Sequence, residues 1–183
     1  TNEIDKIILQ ASLTKFGARN QTMIEVMYSC GLRVSEVIEM KISNIFFDES
    51  LIKVLGKGKK ERFVPLSGIA KKLLCNYIEC ERKESKFDKQ SVDIVFLNNR
   101  GGKLSRIMLY NIINDAALAA EITSKISPHT LRHSFATHLI ENGADIISIQ
   151  KMMGHENIVT TEKYLNVNKK HLVETVIKYH PRK

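Results

Sequence analysis

Apolar residues recur at spacings of three and four along almost the whole chain, the pattern of helices buried on one face. The pattern breaks once, near residue 50, into two short runs joined by a basic turn. Any fold that fits is mostly helical. Ile4, Ile7 and Ile8 share a face of a first helix capped by Thr1 or Asn2; Met23, Val26 and Met27 mark a second that stops at Cys30-Gly31. A short third helix is expected over Val34 to Met40. Leu51 to Leu55 and Arg62 to Pro65 read as strands, and Gly56-Lys57-Gly58-Lys59-Lys60 makes them a hairpin. A helix follows over Ile69 to Arg82, with Leu73, Leu74, Tyr77 and Ile78 on one side, and then a charged surface loop to Gln90. Ile94 to Leu97 reads as a third strand, ended by Asn98 to Gly102. Ile107, Tyr110, Ile113 and Ala117 mark the next helix. Ser127 caps, and Pro128 opens, a helix ending at Asn142-Gly143. Asp145 caps another that holds Ile146, Ile149 and Met153 and ends at Gly154. Thr160 or Thr161 starts a short helix carrying Tyr164, and Leu172, Val173, Val176 and Ile177 stripe a last one near Lys169 to Tyr179. With no repeat or linker visible, the expectation is one domain, mainly α with a small antiparallel β-sheet, in the α+β class.

At 183 residues and 43% hydrophobic content the chain is long and apolar enough to bury a core, which excludes a disordered chain. No run approaches the roughly 18 continuous apolar residues of a membrane span. The opening Thr1-Asn2-Glu3 does not read as a signal peptide, so a cytoplasmic protein is expected. Lys and Arg number 28 against 20 acidic residues, a net charge of +8. That balance suits an anionic partner such as nucleic acid, or simply a solubilising surface. Cys30, Cys75 and Cys80 form no CxxC and read as reduced thiols.

The densest polar cluster is Pro128-His129-Thr130-Leu131-Arg132-His133. His129 and Arg132 sit three apart in a first helical turn, where N–H groups and the dipole favour an anion. Arg132 is unfavourable there for the helix itself, and a bound phosphate would offset that; an ordinary surface Arg and a capping His are the plainer reading. His129 and His133 have metal-pair spacing, but no Glu or Cys ligand accompanies them, so no metal is expected. His155 follows Gly154 at a helix end, where it either bonds the last carbonyls or serves a site. Tyr164 is core, interface or nucleophile; its phenol attacks only if its proton is removed and the developing charge is held. Arg33 and Glu36 either pair at the surface or Glu36 aims Arg33 at a phosphate. Lys57, Lys59 and Lys60 form a cationic tip that is solvated, touches a DNA backbone, or supplies a general acid.

Gly31-Leu32-Arg33-Val34-Ser35-Glu36, Gly56-Lys57-Gly58 with Lys60-Glu61-Arg62, His129-Thr130-Leu131-Arg132-His133, Met153-Gly154-His155 and Tyr164 occur in this order. Together they resemble the catalytic domain of the tyrosine recombinases, the phage-integrase family, and within it the Xer branch that resolves chromosome dimers. The ending Tyr179-His180-Pro181-Arg182 is similar to Xer termini. The resemblance spans nearly the whole chain. It implies the DNA breaking-rejoining fold over residues 1–183, as a C-terminal catalytic domain. The N-terminal DNA-clamping domain usual in the family is absent from these residues.

The resemblance also implies roles. Tyr164 attacks a DNA phosphodiester, giving a 3′-phosphotyrosyl bond and a free 5′-hydroxyl. Arg33 and Arg132 hold the non-bridging oxygens, and His155 occupies the His/Trp position beside them. His129 is the proposed general base, Lys57 the general acid, and Glu36 the supporting acid. Lys59, Lys60 and Arg62 are expected to contact DNA. No cofactor and no metal are expected. The implied partners are double-stranded DNA at a recombination site, a homo- or hetero-tetramer that exchanges its C-terminal helices, and an activating protein. Alternatives are a mobile-element integrase of the same chemistry, a relaxing topoisomerase, and a non-catalytic helix-turn-helix module over Asp145 to Leu165.

Overall fold

The structure, a computed structural model, describes residues 2–56, 61–154 and 169–182. Its order is α1 (Asn2–Ser12), α2 (Gly17–Ser29), α3 (Val34–Ile38), β1 (Ile45–Phe46), β2 (Leu51–Leu55), β3 (Glu61–Pro65), α4 (Gly68–Tyr77), α5 (Arg106–Ala119), α6 (Pro128–Glu141), α7 (Ile146–Met153) and α8 (Lys169–Tyr179). A 3-10 turn at Ile42–Asn44 precedes β1, and a π turn at Ile78–Arg82 extends α4. The caps fall where the sequence puts them. Ser127 accepts from the Thr130 N–H and shares a capping box with it, Pro128 occupies the first turn, and Asp145 accepts from the Ser148 N–H.

The centre of the molecule is α2. α1, α4 and α6 pack around it, so eleven of its 13 residues are buried, rather than the single face that its periodicity suggests. The buried polar residues among these bring their own partners. The Arg19 guanidinium donates to Asn20 Oδ1 and to the Leu97 carbonyl, and Ser29 Oγ donates to the Glu25 carbonyl. α2 ends in a Schellman turn: Leu32 N donates to Met27 O, Gly31 N donates to Tyr28 O, and Gly31 has φ 59°. A Cβ on Gly31 would fall inside the Phe135 ring of α6. Glycine is therefore needed there both for the backbone and for the close approach of α6.

The sheet is antiparallel in the order β1-β2-β3, pairing Ile45 with Ile52 and Val54 with Arg62. Its third strand is the two-residue β1, not Ile94 to Leu97 as the sequence suggests. All four residues of the latter run are buried, with no exposed face to alternate. Buried arginines, rather than a neighbouring strand, satisfy two of its carbonyls: Arg82 Nε donates to Ile94 O at 3.0 Å and Arg19 Nη1 to Leu97 O at 2.8 Å. Its backbone pairing is limited to isolated bridges, Lys41 with Ile94 and Leu97 with Lys103. Three expected inner positions also face outward. Ile107, Tyr110 and Ile146 are exposed, and Leu109, Ile113, Ala116 and Ala117 form the inner face of α5.

α8 packs on β3, α6 and α7 of its own chain, burying Leu172, Thr175 and Val176 and leaving Ile177 exposed. Beyond it, the buried His180 lies against the Tyr28 and Phe135 rings, and Arg182 pairs with Glu25 of α2 and Asp5 of α1. The single chain thus docks in cis the helix that the sequence reading gives to a neighbour. Among the described residues, no helix is long and apolar enough to cross a membrane.

Gly31→Ala should cost about 2–4 kcal/mol, since it strains a positive φ and drives a methyl into a buried ring. Thermal unfolding should show Tm lowered by about 5–15 °C; an unchanged Tm would mean that α2 and α6 do not meet this closely.

Candidate active site

The site is assembled from the ends of elements. Gly31 turns the chain out of α2, and Arg33, at extended φ and ψ, caps α3. That places Glu36 in the first turn of α3, where its carboxylate accepts from the Arg33 backbone N–H at 2.8 Å. Glu36 is buried, with a side chain 2% exposed, and three arginines converge on it. Arg62 on β3 binds it bidentately, with Nη1 to Oε1 at 2.6 Å and Nη2 to Oε2 at 2.9 Å. Arg33 Nη1 donates to Oε1 at 3.1 Å, and Arg132 Nη1 stands 4.0 Å from Oε2.

The same three arginines hold the end of α7. Arg62 Nε donates to Met152 O at 2.8 Å, Arg132 Nη2 to Met153 O at 2.5 Å, and Arg33 Nη2 to Gly154 O at 3.2 Å. A helix leaves its last carbonyls unpaired and carries partial negative charge at that end. Three consecutive carbonyls here meet three different guanidiniums. Arg132 Nη1 also donates to Gly31 O, which ties α6 to the end of α2. Three cations around one carboxylate leave a surplus of positive charge, and Arg33, whose side chain is 34% exposed, is its most accessible part.

The electrostatics follow from this packing. Burial pushes the Glu36 carboxyl up, but hydrogen bonds from Arg62 and the Arg33 backbone, with the charges of both arginines, hold it below the usual carboxylate range. Burial and the neighbouring Arg33 lower Arg132 to about 10, so it remains charged at neutral pH. An arrangement of fixed guanidinium forks in a partly buried site suits a phosphate oxyanion.

Of the residues singled out in the sequence, the structure brings together Arg33, Glu36 and Arg132. Arg62, expected to contact DNA, turns inward, 13% exposed, with its fork on Glu36 and α7. Strand alternation with a buried neighbour, Val64, was the available signal, but only the fold shows what lies across from Arg62. His129 and Arg132 differ in burial: Arg132 is buried, while His129, three residues earlier, is exposed. Lys57, Lys59, Lys60, His155 and Tyr164 lie outside the described residues. Among the described residues, no three His, Cys, Asp or Glu side chains gather as a metal site would require. α7, the first helix of the helix-turn-helix alternative, packs on β3, α6 and α8, and its last turn is taken up by the arginines; the second, recognition helix of that alternative lies outside the described residues.

Glu36→Gln removes the charge that offsets the arginines and should cost on the order of 3 kcal/mol at pH 7. Because the Glu36 carboxyl is lowered by folding, its contribution is present above the ordinary carboxylate pKa and is lost as pH falls through the lowered value. Denaturant titrations should show wild type more stable at pH 7 and the gap closing below about pH 4. A gap independent of pH would exclude a charge role.

Comparison with known proteins agrees with this geometry. The Phage integrase family matches residues 1–171. Tyrosine recombinase XerD of Oceanobacillus iheyensis is 42% identical over 182 residues, 99% of this chain and 61% of the relative. Tyrosine recombinase XerC of Anoxybacillus flavithermus is 40% identical, covering 99% of this chain and 61% of the relative. The chain thus spans about three fifths of the length of these relatives. Among solved structures, XerA recombinase superposes with TM-score 0.77 at 33% identity, over 100% of this chain and 63% of that one. XerH site-specific recombinase bound to difH substrate gives TM-score 0.73 at 28% identity, over 85% of this chain and 46% of that one. With the arginine–carboxylate site in place and a family match over nearly its whole length, this chain belongs to the phage integrase family of tyrosine recombinases.

Proposed function

We propose that the chain is the catalytic part of a site-specific DNA recombinase of the Xer type, which resolves chromosome dimers in the cytoplasm through a 3′-phosphotyrosyl intermediate. The observation that carries this reading is the convergence of Arg33, Arg62 and Arg132 on Glu36 at the end of α7, directly before His155 and ten residues before Tyr164. The names of the relatives and the DNA in the XerH structure support it. A DNA-clamping domain outside these 183 residues completes the protein.

In this reading a scissile phosphate docks on the surplus positive charge, with Arg33 and Arg132 on its non-bridging oxygens. Tyr164 Oη attacks phosphorus while His129 takes its proton. The bond to the 5′-oxygen breaks, and Lys57 protonates that oxygen. His155 adds a further donor. The pentavalent transition state gains negative charge, and prealigned guanidiniums stabilise it more than the ground state. Covalent attachment conserves the phosphodiester, so religation by the 5′-hydroxyl of a partner strand needs no ATP. Lys59 and Lys60 contact the DNA backbone. On DNA the working unit is a tetramer in which α8 leaves its own β3 and α7 for a neighbour's, and an activating protein sets the order of strand exchange.

The test uses the complete protein on nicked duplexes carrying host recombination sites, with covalent adducts read on a denaturing gel. A band is expected for wild type, with or without EDTA, and none for Tyr164→Phe. Arg132→Ala should lose about 10²–10³-fold in cleavage while still binding DNA. Binding itself should weaken steeply with salt. Specific binding with no Tyr164-dependent adduct at any site would overturn the enzyme reading.

A further inference from the structure

Arg62 has a part to play that the roles above leave out. It sits in the second position of β3, and its partner across the ladder is Val54. Three of its N–H groups are engaged at once, two on Glu36 and one on Met152 O. The end of α7 is shaped to admit it. Gly154 has φ 63°, and a Cβ there would stand 3.2 Å from Arg62 Cδ, Nε and Cζ, closer than side chains normally pack. The next residue, Phe63, holds the first residue of α8: Lys169 Nζ lies 3.6 Å from its ring centroid. Successive strand side chains point to opposite faces, so β3 grips the end of α7 with one face and the start of α8 with the other. The stretch between those two ends contains His155 and Tyr164.

We propose that Arg62 is a positioning residue for strand cleavage: its fork ties the β2–β3 hairpin to Glu36 and to the last turn of α7, and so holds in place the carboxylate that Arg33 and Arg132 share. This rests on the recombinase reading above. A planar fork that makes two parallel bonds to a carboxylate and a third to a carbonyl has no lysine equivalent. A misplacement of about 1 Å at a reacting centre costs about 10²-fold in rate. Arg62 therefore acts without touching DNA, and this separates it from Lys59 and Lys60.

The experiment compares Arg62→Lys and Arg62→Gln with wild type in the complete protein, with Tm measured for each. Cleavage of nicked duplex is timed at saturating protein, and Kd is measured over a range of salt. Both variants should lose about 10²-fold in cleavage at saturation, whether or not charge is kept. Their Kd should stay within about threefold of wild type with the same salt slope. Full cleavage by Arg62→Lys, or a salt slope smaller by about 1 in Arg62→Gln, would overturn the proposal in favour of a phosphate contact. A measurement on the unaltered protein decides the matter even where the variants fail to fold or wild type forms no adduct. Arg62 should react slowly with phenylglyoxal by mass spectrometry, equally with and without DNA. Rapid reaction that DNA suppresses would overturn it. A Tyr164-independent or absent wild-type adduct, by contrast, counts against the recombinase reading alone.

Discussion

Everything at the site depends on one buried carboxylate. Arg33, Arg62 and Arg132 arrive from α3, β3 and α6, and like charges at contact distance repel by about 4 kcal/mol per pair even at an effective dielectric near 20. Glu36 makes their approach tolerable. Because the carboxylate has more strong donors than it can fully saturate, the arginines keep hydrogen-bonding capacity for something else. In the present arrangement that capacity goes to backbone carbonyls, Gly31 O and the last three of α7. Backbone oxygens are neutral and fixed in place, so the cluster retains its excess positive charge and its geometry together. Preorganised donors of this kind are what a developing oxyanion needs.

The fold supplies these parts through its helix ends rather than its helix faces. Gly31 ends α2, Arg33 caps α3, Arg132 lies one turn into α6, and Met152 to Gly154 close α7. Helix ends carry the unpaired groups and the net dipole, so they are where a helical domain can place polar chemistry without breaking its ladders. The apolar faces then do the ordinary work of holding those ends in register. Phe135 against Gly31 is one such contact, and it brings the α6 helix carrying Arg132 onto the turn that leads to Arg33.

This division explains which features were legible in the sequence. Caps are local, so Ser127 with Pro128, Asp145, Gly31 and Gly154 mark their helices at once. The β2–β3 hairpin is local too. Arg33, Glu36 and Arg132 each drew notice locally, but only the family pattern put them in one site, since no local rule says that residues 33, 36 and 132 meet. The inward turn of Arg62 was hidden for the same reason: its exposure depends on what lies across from it, and that is α7, some 90 residues later. Ile94 to Leu97 misled because a fully buried apolar run has no alternation to distinguish strand from coil, and the arginines that satisfy its carbonyls are distant in sequence. The outward Ile107 and Tyr110 show the limit of periodicity in α5, where apolar residues occupy more than one face.

A second buried carboxylate, Glu25 in α2, shows why Glu36 behaves as it does. Both are glutamates at or near full burial, and both pair with an arginine. Burial pushes the Glu25 carboxyl up, and Arg182 and Ser29 draw it down without cancelling the rise, which the nearby Asp5 reinforces. Glu36 ends on the other side of the usual value because it receives a two-pronged fork, a backbone N–H and a second guanidinium with no acid beside it. Burial sets the sign at Glu25, and the donors outweigh it at Glu36. Acid therefore reaches the carboxylate that anchors the C-terminal segment before the one that anchors the arginine cluster. His180, beside that anchor, is lowered to about 4, chiefly by burial, so it is neutral near pH 7. Its Nε2 has no hydrogen-bonding partner among the described residues. The C-terminal segment is thus held by one ion-pair network and aromatic packing, whereas the site is held by a cluster in which every arginine makes at least two attachments. Charge is concentrated where geometry must not change, and the segment after α8 is tied down by less.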